Sequence, residues 1–280
     1  MAAFAFPPID PIAFHIGPLA VRWYGLAYLA GFLCAWWVLK VLDERWAMGL
    51  GPDGRSTTVL AAVIGVIVGA RLGYVLVYGA GAYWSDPARI FALWDGGMSF
   101  HGGLAGILIA GVWVSRHYGI PFLRLCDAGA VGAPVGLFFG RLANFVNGEL
   151  WGRVTTVPWG VVFPRAGAEP RHPSQLYEAG LEGLVLFAVM LLLARRKRQD
   201  GVLVGWMLTL YGVFRIFVEF FREPDAPIGF LAGGLTMGQL LSVPLVLVGA
   251  WLVWRGRSSR ARGEDGEPGG PQSDDASEAS

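Results

Sequence analysis

An all-α polytopic membrane protein with seven transmembrane helices and a small extramembrane head is the fold class the sequence predicts, on three observations. Of the 280 residues, 54% are hydrophobic and only 15% charged, where a soluble domain carries roughly a quarter charged residues. Several apolar stretches reach the roughly 20 residues that a helix needs to cross a hydrocarbon core of about 30 Å. Lysine and arginine also concentrate on alternate connections, as the positive-inside rule requires of a chain that crosses repeatedly.

The first span is expected over residues 21–42. No basic region precedes its apolar run, so no cleavable signal peptide is expected and the span itself directs insertion. Residues 57–77 and 98–117 form the second and third spans. Gly102 and Gly106 give the third a small-xxx-small pair, which close helix packing explains without any function. The fourth span, 125–147, carries Gly129, Gly132 and Gly136 beside Pro134, and packing explains these glycines too. Residues 150–173 are rich in Pro, Gly and Arg, too polar to cross, and read as an extramembrane head. Pro173-Ser174 then offers a helix start with Ser174 as N-cap. Spans five to seven follow over 174–194, 202–222 and 235–254, and no internal repeat is visible. Residues 1–254 thus form one membrane domain. Residues 255–280 hold Ser, Gly, Asp, Glu and Arg with almost nothing apolar, the composition of a disordered tail.

Orientation follows from the 22 Lys and Arg residues. Lys40, Arg45, Arg55, Arg116, Arg124, Arg195, Arg196, Lys197, Arg198, Arg255, Arg257, Arg260 and Arg262 fall on one side, thirteen in all. Arg22, Arg89, Arg153, Arg165, Arg171 and Arg222 make six on the other, and Arg71, Arg141 and Arg215 lie within spans. That bias places the N-terminus and the head outside, with the C-terminus in the cytoplasm. The net charge of +1 gives no reason to expect nucleic acid. Cys34 and Cys126 both sit in apolar stretches and read as small packing residues, with no disulfide framework and no metal-ligand spacing.

Residues 140–152 read Gly-Arg-Leu-Ala-Asn-Phe-Val-Asn-Gly-Glu-Leu-Trp-Gly, an unexpected composition for a membrane span. Each charged group there costs on the order of 3 kcal/mol on insertion scales and usually lines a binding path or polar cavity. The three intramembrane arginines share a depth, roughly 9–10 Å beneath the outer boundary at 1.5 Å per residue. His101 lies just inside the outer end of span three, and Glu178 one turn into span five. Arg215 and Glu219, four apart, share a helix face. Each residue alone has a plainer reading. Arg71 could snorkel to the headgroups, Arg215 with Glu219 could be an internal ion pair, and His101 could be a hydrogen-bonded packing residue. Asn144 and Asn147 could bond between helices. Gathered at one depth, three cations with few acidic partners point to an anionic ligand, and lipid phosphate is the anion available there. A guanidinium fork donates two parallel hydrogen bonds to phosphate. Gly148 and Gly152 flank Glu149, where they let the backbone turn and approach a ligand. Trp84, Trp94, Trp151 and Trp159 read as interfacial anchors.

The run from Gly140 to Glu149 followed by Gly152 resembles the signature of the bacterial prolipoprotein diacylglyceryl transferases. Supporting blocks are Arg22-Trp23-Tyr24-Gly25-Leu26, Ser99-Phe100-His101-Gly102-Gly103, His172-Pro173-Ser174-Gln175-Leu176-Tyr177-Glu178, Arg215 through Glu219 to Arg222, and Pro224-Asp225. The motifs run in order over roughly residues 10–254, with Val146 a conservative variation. The resemblance implies a seven-helix enzyme of the bacterial inner membrane with a periplasmic N-terminus and head. It implies transfer of diacylglyceryl from phosphatidylglycerol to the lipobox cysteine thiol of a preprolipoprotein, with a thioether formed and glycerol phosphate released. Arg141 is then a phosphatidylglycerol-binding residue.

The nucleophile in that reaction belongs to the substrate, which fits a polar cluster without cysteine. A free thiol is mostly protonated at neutral pH, so a base helps, and His101 is the candidate. Glu149 and a phosphate oxygen are the alternatives. Arg141 and Arg215 would clamp the departing phosphate. Tyr24, Asn144 and Glu149 would orient the glycerol headgroup, Gly152 would allow close approach, and Glu219 would hold Arg215. No cofactor and no metal is expected, the carboxylates lacking a metal-site spacing. The rival classes are a lipid transporter or flippase, another phospholipid headgroup transferase, and a structural membrane partner. Many transporters show internal repeats and a site near the midplane; here repeats are absent and the charges lie off-centre.

Overall fold

The computed structural model describes residues 4–77, 79, 81, 83, 86–93, 96–224 and 229–264. It is mostly helical. The helices are α1 (Trp23–Trp46), α2 (Gly51–Val77), α3 (Phe100–Tyr118), α4 (Phe122–Val146), α5 (Ser174–Ala194), α6 (Val202–Val218) and α7 (Met237–Glu264). Of these, α1, α2, α4, α5 and α7 are long and apolar enough to cross a membrane, whereas α6, at 17 residues, is a shorter apolar helix. Large apolar side chains such as Leu60, Ile64, Leu76, Ile109 and Leu247 are exposed along the helices. Water would disfavour so much uncovered apolar surface, and hydrocarbon would not. The chain is therefore built as a polytopic membrane protein.

The common core sits where α1, α4, α5 and α6 meet, around Val38, Leu42, Val131, Leu186, Met190 and Leu203. Beside it α2 and α3 cross backbone to backbone. A Cβ on Gly65 would stand 2.6 Å from the carbonyl oxygen of Gly106, and one on Gly73 2.7 Å from the Cα of Gly102. The expected packing role of Gly102 and Gly106 is what the structure shows.

One end of the bundle is closed by backbone caps. Asp127 of α4 accepts from the backbone N–H groups of Gly201 and Val204, each at 2.8 Å, and so caps the start of α6 from a neighbouring helix. Arg124 and Asp200 pair through two bonds of 2.9 and 3.2 Å. The other end carries the head and the polar residues. There β1 (Phe4–Ala5) pairs in parallel with β4 (Val161–Val162), while β2 (Ile12–Ile16) and β3 (Leu19–Arg22) form an antiparallel hairpin leading into α1.

Several expected boundaries move. The strands depart from an all-α expectation. Ser174 is not an N-cap: Pro173 occupies that position, and the Ser174 hydroxyl donates to the Leu150 carbonyl at 3.2 Å. Helix α6 ends at Val218, not at 222, because Arg222 leaves the helix to bridge Gly152. Helix α7 passes the expected end at 254 and runs to Glu264. Residues 265–280, Trp84, Trp94 and Asp225 lie outside the described residues.

Candidate active site

The last turns of α4 present Arg141 and Asn144, three residues apart and on one face. The chain then turns sharply through Gly148 and Leu150, at φ +59° and +57°, and this returns Glu149 to the helix end. The Asn144 amide donates to Tyr24 Oη at 2.8 Å and to Glu149 Oε1 at 2.9 Å, and Asn147 donates to the same oxygen at 3.3 Å. Arg141 Nη1 donates to Asn144 Oδ1 at 3.3 Å. Three separated segments are thus tied through one buried asparagine. The backbone of Glu149 is fixed as well, its carbonyl accepting from Gln175 Nε2 at 2.6 Å.

Beside this relay lies an ionic cluster centred on Glu178 of α5. Glu178 Oε2 is 2.8 Å from Arg141 Nε, 2.7 Å from Arg215 Nη1 and 4.0 Å from Arg222 Nη1. Arg215 Nη2 also donates to Glu219, and its Nη1 stands 3.7 Å from Glu182. Glu178 and Glu182 are fully buried. Buried charges persist only when paired in this way. Arg141 and Arg215, 74 positions apart in sequence, therefore face one another across a carboxylate.

The expectation of few acidic partners is corrected: Glu178, Glu182 and Glu219 accompany the arginines. Arg71 belongs elsewhere. Its guanidinium is buried against the backbone carbonyls of Arg89 (2.6 Å), Ile90 (2.8 Å), Ala92 (3.1 Å), Gly97 (3.1 Å) and Gly96, so it neither snorkels nor joins the cluster. His101 is exposed in the first turn of α3, its ring edge-on to Phe100 at 5.6 Å. No side-chain hydrogen bond ties it to the cluster among the described residues. Gly152 makes its close approach to the protein itself: a Cβ there would lie 2.5 Å from the Phe221 carbonyl oxygen and 2.6 Å from that of His172.

The head locks onto the end of α6 nearby. Arg153 donates to the carbonyls of Arg222 at 2.9 Å and Glu219 at 3.0 Å, meeting the negative end of that helix. His172 Nδ1 lies 3.1 Å from Tyr177 Oη, which accepts from Trp159 Nε1 at 2.7 Å. Burial holds the His172 imidazole below its ordinary pKa.

Sequence reasoning assigned no role to Glu182, Gln175 or Arg222, and it only located Glu178. The signal was available: Glu178 and Glu182, four apart in an apolar span, repeat the spacing that drew attention to Arg215 and Glu219. A family model described as prolipoprotein diacylglyceryl transferase matches residues 11–255. Proteins named phosphatidylglycerol–prolipoprotein diacylglyceryl transferase from Brucella canis, Brucella ovis and Brucella abortus are each 53% identical to this chain over 271 residues. Each alignment covers 93% of this chain and 96% of the relative. With the match spanning the helices and the polar cluster alike, the chain belongs to the prolipoprotein diacylglyceryl transferase family.

Proposed function

We propose that this protein transfers the diacylglyceryl group of phosphatidylglycerol to the lipobox cysteine thiol of preprolipoproteins, at the head end of the bundle. The observation that carries this reading is the convergence of Arg141 and Arg215 on Glu178, beside the relay of Tyr24, Asn144 and Glu149. The substrate sulfur attacks the glycerol carbon that bears the phosphodiester. A C–S bond forms, the C–O bond breaks, and its electron pair leaves on glycerol phosphate. The thiol proton passes to a base, for which His101 is the candidate.

Arg141 Nη2 donates to none of the described residues, and its side chain keeps 18% of its surface exposed. That leaves donors for a lipid phosphate, and their charge stabilises the leaving group as the C–O bond breaks. Arg215, bonded to both Glu178 and Glu219, completes the clamp. Tyr24, Asn144 and Glu149 orient the glycerol headgroup.

In this reading all seven helices cross the bacterial inner membrane. The N-terminus and the head, residues 150–173, are periplasmic and the C-terminus is cytoplasmic; thirteen against six basic residues support that orientation. Catalysis belongs to residues 1–254.

The deciding experiment incubates the purified protein with phosphatidylglycerol radiolabelled in its acyl chains and a synthetic lipobox peptide. Label linked to the peptide by a thioether is the expected product. Label moved only between leaflets, or onto another lipid, would replace this reading with a flippase or a different headgroup transferase.

A further inference from the structure

Glu182 is fully buried, and neither of its carboxylate oxygens has a hydrogen-bond partner among the described residues. It lies in the π-helical interior of α5, Ala179–Val185, a distortion that recurs at functional positions in helices. Its ion-pair contact with Arg215 Nη1 is 3.7 Å long, while the same nitrogen is 2.7 Å from Glu178 Oε2. The charged and titratable groups that face it are Arg215, Glu178, Arg141, Arg222 and Tyr211.

The ion-paired set comprises the guanidinium groups of Arg141, Arg215 and Arg222 and the carboxylates of Glu178, Glu182 and Glu219. With all six ionised, this set carries three positive and three negative charges. A lipid phosphodiester entering this set brings one more negative charge into low-polarity surroundings, where an uncompensated charge is strongly disfavoured. Uptake of one proton restores the balance. Glu178 accepts from Arg215 and pairs with Arg141, and Glu219 accepts from Arg215, so protonating either breaks a charge-assisted bond. Protonating Glu182 breaks none. Gln175 Oε1 and Glu178 Oε1 are likewise buried with no hydrogen-bond partner among the described residues.

We propose that Glu182 is a positioning residue of the phosphatidylglycerol site, taking up one proton as the lipid phosphate binds and so keeping the arginine clamp charge-balanced. This rests on the function proposed above and adds how the site accepts an anionic substrate.

The test is calorimetric titration of the full-length protein in phosphatidylcholine nanodiscs with short-chain phosphatidylglycerol, in buffers of different ionisation enthalpy and without thiol peptide. Wild type is expected to take up about one proton per lipid, its Kd rising up to about tenfold per pH unit on the alkaline limb. Glu182→Gln should bind phosphatidylglycerol without proton uptake, its Kd staying within about twofold over the same range. Glu182→Asp keeps a titratable carboxyl and should restore uptake, and it serves as the comparison if the glutamine variant does not fold. Equal uptake by wild type and Glu182→Gln, no uptake by wild type, or no uptake by a folded Glu182→Asp overturns the proposal while the functional reading stands. Failure of wild type to bind phosphatidylglycerol at all overturns both.

Discussion

Arg141 Nε and Glu178 Oε2 meet at 2.8 Å between α4 and α5, and this pair holds the cluster in its resting arrangement. Replacing Arg141 by Ala leaves Glu178 with Arg215 at 2.7 Å, so the buried carboxylate is not stranded and the helices stay packed. The expected outcome is a folded protein with transfer lowered by about 100-fold or more, the usual scale for losing a preorganised charge-stabilising donor. Arg141→Lys should rescue little, because an ammonium lacks the fork that grips phosphate and spans neighbouring acceptors. Thioether formation and a detergent melting curve check both halves. Wild-type turnover by Arg141→Ala would remove the phosphate clamp.

His101 stands apart from the cluster, exposed at the head of α3. A base for the substrate thiol has to come within hydrogen-bond reach of the sulfur, so the proposed role requires the bound substrates to bring that sulfur to the His101 ring. Without a base the reaction depends on the thiolate fraction alone, so His101→Gln should slow transfer most at low pH, its deficit shrinking above about pH 8.5, where a free thiol ionises unaided. Rates measured across pH with one lipobox peptide decide it. Parallel profiles would pass the role to Glu149 or to a phosphate oxygen.

The head should loosen in acid through His172. Tyr177 Oη accepts from Trp159, which frees its own proton for His172 Nδ1 at 3.1 Å, and burial favours the neutral ring. A lowered folded pKa means that the folded state binds fewer protons than the unfolded chain, so stability rises with pH through this window. The contribution is complete above the ordinary imidazole value of about 6.5 and is lost as pH falls through the folded value. Thermal midpoints at about pH 7.5 and about pH 5 should therefore differ less in His172→Asn than in wild type. Equal differences would show that His172 does not couple to folding.

Legibility in the sequence followed the kind of signal each residue left. Helix α5 begins and ends where expected, because Pro173 fixes its start and the basic run from Arg195 follows its end. Helix α7 outruns its apolar stretch because hydropathy reports what lipid accepts, not what stays helical, and Arg and Ala are good helix formers in water. Strands of two to five residues, such as β1, β2 and β4, are too short to show a period. Arg141 and Arg215 meet at one carboxylate, whereas Arg71, expected beside them, does not join them. Its partners are backbone carbonyls of residues 89–97, and carbonyls carry no sequence signature. The carboxylates of α5 were visible as letters, but the π-helical turns around Glu182 arise from packing. A Cβ on Gly183 would stand 2.6 Å from the Cβ of Phe138 in α4.

The glycine crossing of α2 and α3 gives the sharpest structural test. A Cβ on Gly106 would overlap the carbonyl of Gly65 and reach within 3.0 Å of the Cα of Gly69. Backbone atoms cannot rotate away as a side-chain tip can, so Gly106→Val has to push the two helices apart. Overpacking of that kind costs about 1–3 kcal/mol. Gly129 in α4 has nothing within 4 Å of its Cβ position, so Gly129→Ala should hold or raise the melting temperature, alanine gaining up to about 1 kcal/mol in a helix. Because His101 rides on α3, Gly106→Val should also slow transfer, more than its loss of folded protein accounts for. Melting curves and activity per folded molecule separate the two effects; a Gly106→Val protein as stable as wild type would mean the helices do not cross at this point.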